Sequence, residues 1–448
     1  MLIAVERSTG PVAPGPQVVL GAGAGAVLAL ELARGSDTLG TSPLWPIAQA
    51  GIAAASLAVA WVWRERLTLP GVLALGGAFH LLWVTIHLAR GVAGDFDPVS
   101  LYPLQGQALL DGGYPESEYP PGAVALFALE TWLGDGAART ANALLMVPFQ
   151  LLCVGAVWML RTRWSSWLAA FVALWPMNAL YWEFRFDLVP TALLLVGLVL
   201  AYRTRWYEAG FVLGLGAVVK WTPALAGAAL LLWLIRNRRF TSSAAHLAGL
   251  AIPILLVNVP LLLWKPSELL GAYTFQNART ITAESFVYLP LRLIGVAQPG
   301  YWYHVAADVP AWANRAAPWV TLALTLAVVL AAGLARNRRG AVTLAGLAPV
   351  VFVLTNRIFS PQFFVLILAA LALAVALVAV RRSDVVFVAG ALAVATTANT
   401  VLYQSFLGER PVGDVPGWTF VSAAAGLPAL FATALVVLRA LRESERDP

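Results

Sequence analysis

Cysteine is almost absent from this chain: one residue in 448, Cys153, set inside an apolar run. An intrachain disulfide is therefore impossible, and a cysteine metal centre is excluded. Charge is scarce too. Asp, Glu, Lys and Arg make up 12% of the residues, about half the share of an ordinary soluble domain. Histidine is limited to His80, His87, His246 and His304, with no HxxH or HExxH spacing, so no spacing argues for a metal. There is no GxxxxGKS or GxxxxGKT loop and no sizeable polar domain to house a soluble nucleotide. Strand-like alternation is missing, which argues against a membrane β-barrel. Basic residues never gather in one domain, so the net charge of +6 does not mark a nucleic-acid binder.

What the chain has instead is one apolar run after another. Hydrophobic residues make up 60% of it, and the mean hydropathy is +0.77. The runs predict an all-α, polytopic integral membrane protein with about 12–14 transmembrane helices. Spans are placed at 18–34, 46–63, 70–90, 140–160, 166–182, 188–202, 209–220, 222–235, 244–264, 316–335, 341–356, 361–380, 384–404 and 419–440. Residues 1–17 read as a loose cytoplasmic tail. Residues 18–33 lack the basic flank of a signal peptide and read as an uncleaved helix. The pair 209–235 is the shortest and reads as a hairpin of broken helices, tolerable where protein or a water-filled cavity surrounds it.

Charge orients this map. With the N-terminus in the cytoplasm, the inner turns carry 18 basic and seven acidic residues, and the outer face carries 11 basic and 16 acidic ones. The result is +11 inside against −5 outside, together the +6 of the whole chain. That is the positive-inside pattern. The long irregular segments 91–139, 265–315 and 405–417 then all face away from the cytoplasm of a cell inner (plasma) membrane protein. A lipid-borne substrate reached from the outer leaflet fits this better than a cytoplasmic sugar nucleotide.

The densest outer segment is 94–122, GDFDPVSLYPLQGQALLDGGYPESEYPPG, with Asp95, Asp97, Asp111, Glu116 and Glu118, three tyrosines and a Pro-Pro pair. Carboxylates at a bilayer edge are costly, and they mark chemistry as readily as a solvated loop. After Pro121 the run 122–134 is too short to span and reads as a helix lying in the interface, anchored by Trp132. Five polar groups fall on the outer face: Asp95 and Asp97 with Tyr102, Glu116 to Tyr119, Glu183 to Asp187, Gln276 to Arg279 with Glu284 and Ser285, and Asn356 to Gln362, joined by Lys220 at the hairpin tip. Lys220, Arg279 and Arg357 are candidates for a lipid phosphate, since Arg forks and Lys point charges both match its oxygens. An ion pair with a nearby carboxylate is the competing explanation for each, and Arg185 with Asp187 reads as such a pair. His80 reads as a helix–helix hydrogen bond and His304 as a possible substrate contact. Tyr301, Trp302, Tyr303, Trp312 and Trp319 fit an interfacial belt, with sugar stacking as the alternative.

The pattern D-x-x-x-L-Y…A-L-L-x-G-G…E-Y-P-P-G-A from Asp97 to Ala123 resembles the first outer loop of bacterial polyprenol-phosphate-sugar-dependent glycosyltransferases of the GT-C superfamily, in the branch of actinobacterial α-mannosyltransferases. AGFVLGLGAVVKWTPAL (209–225), QNARTITAES (276–285) and RIFSPQFF (357–364) are similar to three further motifs in the same order. The resemblance covers about residues 70–400. It leaves 1–69 as a tail with two extra helices ahead of a core from 70 to 448. It implies transfer of mannose or a related sugar from a polyprenyl-phosphate donor to a glycolipid or glycan acceptor, with membrane lipid as the medium and no cofactor. The catalytic acid of the family carries over to Asp97. This sequence is one residue longer there, which keeps Asp95 open. Tyr102, Glu118, Tyr119, Asp187, Gln276, Glu284, His304 and Gln362 are the accompanying substrate-contact candidates.

Such a reaction needs a base for a weakly nucleophilic hydroxyl and cations for a phosphate leaving group. One carboxylate base and no carboxylate nucleophile implies direct displacement with inversion. A secondary transporter or lipid flippase would share the span count and broken helices. It should also show related halves and charges open to both sides, whereas the charges here cluster on one face.

Overall fold

The computed structural model describes residues 15–33, 44–89, 100–134, 137–297, 309–407 and 417–445. Among them the chain is helical throughout, with no β-strand. Three helices lead: α1 (Pro16–Ala33), α2 (Leu44–Val62) and α3 (Leu69–Ala89). Two short ones, α4 (Tyr102–Leu110) and α5 (Pro121–Leu133), precede α6 (Ala138–Trp158), α7 (Ser165–Leu174), α8 (Ala179–Phe184), α9 (Leu188–Tyr202), α10 (Trp206–Val219), α11 (Thr222–Arg236) and α12 (Phe240–Trp264). The remainder are α13 (Pro266–Ala278), α14 (Tyr288–Leu293), α15 (Ala311–Leu334), α16 (Arg338–Thr355), α17 (Phe363–Val378), α18 (Arg382–Leu407) and α19 (Trp418–Ser444). Among the described residues nine helices are long and apolar enough to cross a membrane: α1, α2, α3, α6, α12, α15, α16, α18 and α19. The protein is polytopic. The short apolar helices α7, α9, α10, α11 and α17 complete the fourteen spans of the sequence map.

Differences from that map follow from proline. The 166–182 run breaks after Leu174, because Pro176 cannot continue the helix and sets a 3-10 turn at Pro176–Asn178 before α8. Pro121 and Pro266 sit at the first positions of α5 and α13, where a missing N–H costs nothing. Buried helix-centre segments are largest in α16 and α17; α17 has fifteen of its sixteen residues buried and forms the axis of the core.

The two ends of the bundle differ in chemistry. At one end the basic turns lean on each other: Arg203 donates to the Met159 carbonyl at 2.8 Å, Arg236 to Leu334 at 3.3 Å, and the Trp233 indole to Ala335 at 2.9 Å. Arg382 lies over Trp61 and Arg338 over Tyr202. Arg439 bonds Asp384 at 2.7 Å. Helices α9 and α11 stop there with Thr204 and Arg238 in the left-handed region (φ 63° and 55°), and the following N–H groups close back on Leu200 and Leu234.

The opposite end holds the segments singled out by charge. The segment 265–315 is not an open loop over its described part. Helix α13 turns back at Lys265–Pro266 so that the Tyr273 hydroxyl donates to Asn258 of α12 at 3.0 Å. It delivers residues 281–285 into the interior, each 7% exposed or less. Irregular backbone is tolerable there because protein covers it. The N-terminal helices are tied on by polar bonds: buried Glu31 of α1 accepts from Gln49 of α2 at 2.6 Å and contacts His87 of α3 at 3.0 Å. His80 makes the expected interhelical bond, to the Ala143 carbonyl at 3.2 Å.

Candidate functional site

Five helix ends converge at the acidic end of the bundle: the starts of α5, α9 and α17, and the ends of α10 and α16. Two close approaches set this geometry. The N-terminus of α5 comes against the end of α10 so tightly that a Cβ on Gly122 would lie 2.5 Å from the Val218 carbonyl oxygen. Gly106 on α4 likewise faces the Phe127 carbonyl of α5, with no room for a side chain. These two glycines pack the acidic loop, as far as it is described, onto the core.

An unbroken line of aromatic contacts follows. Tyr102, the first residue of α4 and 1% exposed, stacks on Phe127 at 4.0 Å. Tyr119 and Phe186 meet these rings edge-on at 5.3–5.9 Å. The Lys220 ammonium lies 5.7 Å from the Phe186 ring centre and 4.3 Å from that of Phe363. Phe363 touches Phe359, and Phe359 touches Phe286, the residue that follows the 276–285 segment, at 4.7 Å. Residues from four of the outer polar segments, and the residue that follows the 276–285 segment, thus belong to one continuous wall.

Charge is embedded in that wall. Lys220 at the end of α10 pairs with Asp187, the residue before α9, at 2.5 Å, with both side chains largely buried. The sequence reading paired Asp187 with Arg185; the structure gives it a cation from another helix. The Tyr119 hydroxyl lies beside Glu118 and Tyr102, and its pKa is pushed well above the usual tyrosine value, first by burial and then by the Glu118 and Asp187 charges. It remains a neutral hydrogen-bond donor. Buried Ser117 donates to Gln105 at 2.8 Å and fixes the turn that presents Glu118.

The second half of the wall is knitted by backbone bonds. Thr282 N–H donates to the Arg357 carbonyl at 2.9 Å, and Phe359 N–H donates to the Thr282 hydroxyl at 3.1 Å. Asn314 of α15 accepts the Ile281 N–H on its side chain at 2.8 Å, and its carbonyl accepts from Arg357 Nη1 at 3.2 Å. Burial pulls the Arg357 pKa down from the usual arginine value. Ser360 donates to Gln362 at 2.6 Å, and Asn399 of α18 holds the Pro361 carbonyl and the Tyr181 hydroxyl.

Of the candidates, Tyr102, Glu118, Tyr119, Asp187 and Lys220 form one group, while Arg357 and Gln362 stand with the segment that carries Glu284. Glu284 is buried and Arg279 half-buried. Asp95, Asp97 and His304 lie outside the described residues, as does the side chain of Gln276 on α13. Phe186, Phe363 and Thr282 lie inside segments quoted from the sequence but were not named as site candidates, and Asn314 and Asn399 lie in none of those segments. Asn314 offered only its distance of four residues from Pro318. Among the described residues no group of three or more His, Cys, Asp or Glu side chains is placed to hold a metal ion.

A cationic and aromatic wall at one end of a helical membrane bundle can take a ligand that is anionic, lipid-soluble and bears flat or hydroxylated faces. Comparison with known proteins agrees in kind: the model of glycosyltransferase family 87 matches residues 118–361, from the end of the acidic loop to Pro361 in the S-P-Q segment. No curated protein and no solved structure matches the chain.

Proposed function

Because the chain belongs to glycosyltransferase family 87 and is a multi-pass membrane enzyme, we propose that it is of the GT-C type and transfers a sugar, mannose or a related one, from a polyprenyl-phosphate donor to the hydroxyl of a glycolipid or glycan. The reaction faces the outside of the plasma membrane and inverts the anomeric centre. The observation that supports this reading is the wall itself, in which Lys220 stands against the Phe186 and Phe363 rings and Arg357 belongs to the adjoining turn, at the end opposite the basic turns. Charge of this sign on an otherwise acidic face suits a phosphate that arrives on a lipid tail.

Asp97, with Asp95 as the alternative, takes the acceptor proton as the new C–O bond forms, and the donor's C–O bond to phosphate breaks. The departing phosphate carries the negative charge, and on this reading Arg357, Arg279 and Lys220 offset it. Tyr102, Glu118 and Tyr119 supply hydrogen bonds to the sugar hydroxyls. With a single carboxylate acting as base, the displacement is direct.

The test is transfer of radiolabelled mannose from polyprenyl-phosphate mannose by the protein in proteoliposomes made with native membrane lipid. Asp97→Asn keeps the shape and removes the proton acceptor. It is expected to lower turnover by about 10²–10⁴-fold while leaving the fold and donor binding in place, and Asp95→Asn is expected to cost far less. Normal turnover in both variants would remove the enzyme reading of this loop.

A further inference from the structure

We propose that Pro318 and Asn314 position the Arg357 guanidinium for the donor phosphate, an inference that rests on the phosphate-binding reading of Arg357. In an α-helix each carbonyl accepts the N–H four residues further on. For Asn314 in α15 that residue is Pro318, which lies inside the helix and has no N–H to give. The carbonyl is left open to an outside donor, and Arg357 Nη1 fills the place at 3.2 Å. A carbonyl is neutral, so the contact fixes the direction of the guanidinium without cancelling its charge.

Asn314 also holds the other end of the same residue. Its side-chain oxygen accepts the Ile281 N–H at 2.8 Å, and the next N–H, from Thr282, donates to the Arg357 carbonyl at 2.9 Å. Backbone and guanidinium of Arg357 are therefore both referred to Asn314, through two independent bonds that start from one asparagine. The arrangement needs an arginine reaching across from the turn after α16, an asparagine in the first turns of α15, and a proline four residues beyond it. All three are present.

The experiment measures binding of undecaprenyl monophosphate, the lipid phosphate alone, to the purified full-length protein in detergent. Four forms are compared: unaltered, Pro318→Ala, Arg357→Ala and the double variant. Pro318→Ala supplies the missing helical N–H to Asn314 and improves helix propensity, so folding is expected to survive. Its affinity is expected to fall roughly tenfold, the scale of one hydrogen bond to a charged group. The double variant is expected to bind no more weakly than Arg357→Ala, because the proline acts only through the arginine. Pro428→Ala, which removes a proline from inside α19, is expected to leave affinity unchanged. Native affinity in Pro318→Ala, additive losses in the double variant, or an equal loss in Pro428→Ala would each overturn the inference. Native affinity in Arg357→Ala would instead sink the phosphate role of Arg357 itself.

Discussion

Lys220 is where residue type and surroundings have to be weighed against each other. Its place at the tip of the α10–α11 hairpin was legible, because a lysine between two apolar runs and before Trp221-Thr222-Pro223 can only end a helix. Its partner was not legible. Asp187 lies 33 residues away, and nothing in the sequence brings α9 and α10 into register there. The pair is largely buried, so Lys220→Met or Asp187→Leu alone leaves one uncompensated charge and is expected to destabilise the protein by about 3–5 kcal/mol, read as a drop in Tm in detergent. Combining the two changes should restore most of that loss. On the proposed reading the double variant regains stability and still binds undecaprenyl monophosphate poorly. Restored stability with unaltered affinity would make Lys220 a structural cation only.

Among elements, α5 shows what pattern reveals and what it hides. The Pro-Pro start, the short length and Trp132 were visible in the sequence, and the helix runs from Pro121 to Leu133 with Trp132 71% exposed. The buried face, which includes Val124, Phe127 and Glu130, depends on α4, α6 and α10 and carries no periodic signature. Helix α13 escaped prediction for a related reason. Its composition is mixed, and only the bond from Tyr273 to Asn258 and the burial of residues 281–285 reveal that it turns back onto the bundle. Gly122 offers the test at this scale. A methyl group there meets backbone rather than a movable side chain. Gly122→Ala is expected to destabilise the protein by about 1–3 kcal/mol, measurable as a lower Tm. An unchanged Tm would mean that α5 does not press on α10 as described.

For the whole molecule, the apolar runs carried the span count, because bilayer thickness imposes helix length directly. Every one of the fourteen runs has a helical counterpart. The convergence of five distant segments on one wall was not readable, since it depends on which helices neighbour which. Sidedness is the remaining expectation, and it follows from the +11 against −5 charge split. Cys153 is buried, so added thiols report alone. Glu116→Cys and Ser267→Cys should react with an impermeant thiol reagent on intact cells, whereas Thr204→Cys and Ser383→Cys should not. All four native residues are exposed. Reversed labelling would place the aromatic wall on the cytoplasmic side and remove the outer-leaflet donor.

The bond between the first three helices also bears on how the chain is made. Glu31 leaves the ribosome before either partner: Gln49 follows 18 residues later and His87 follows 56 later. A carboxylate near the end of a hydrophobic helix is poorly tolerated in lipid. Until residue 49 has been synthesised, α1 lacks both Gln49 and His87, and until residue 87 it still lacks His87. Its final seating in the bilayer is therefore expected to follow the synthesis of α3, although α1 is translated before α2 and α3.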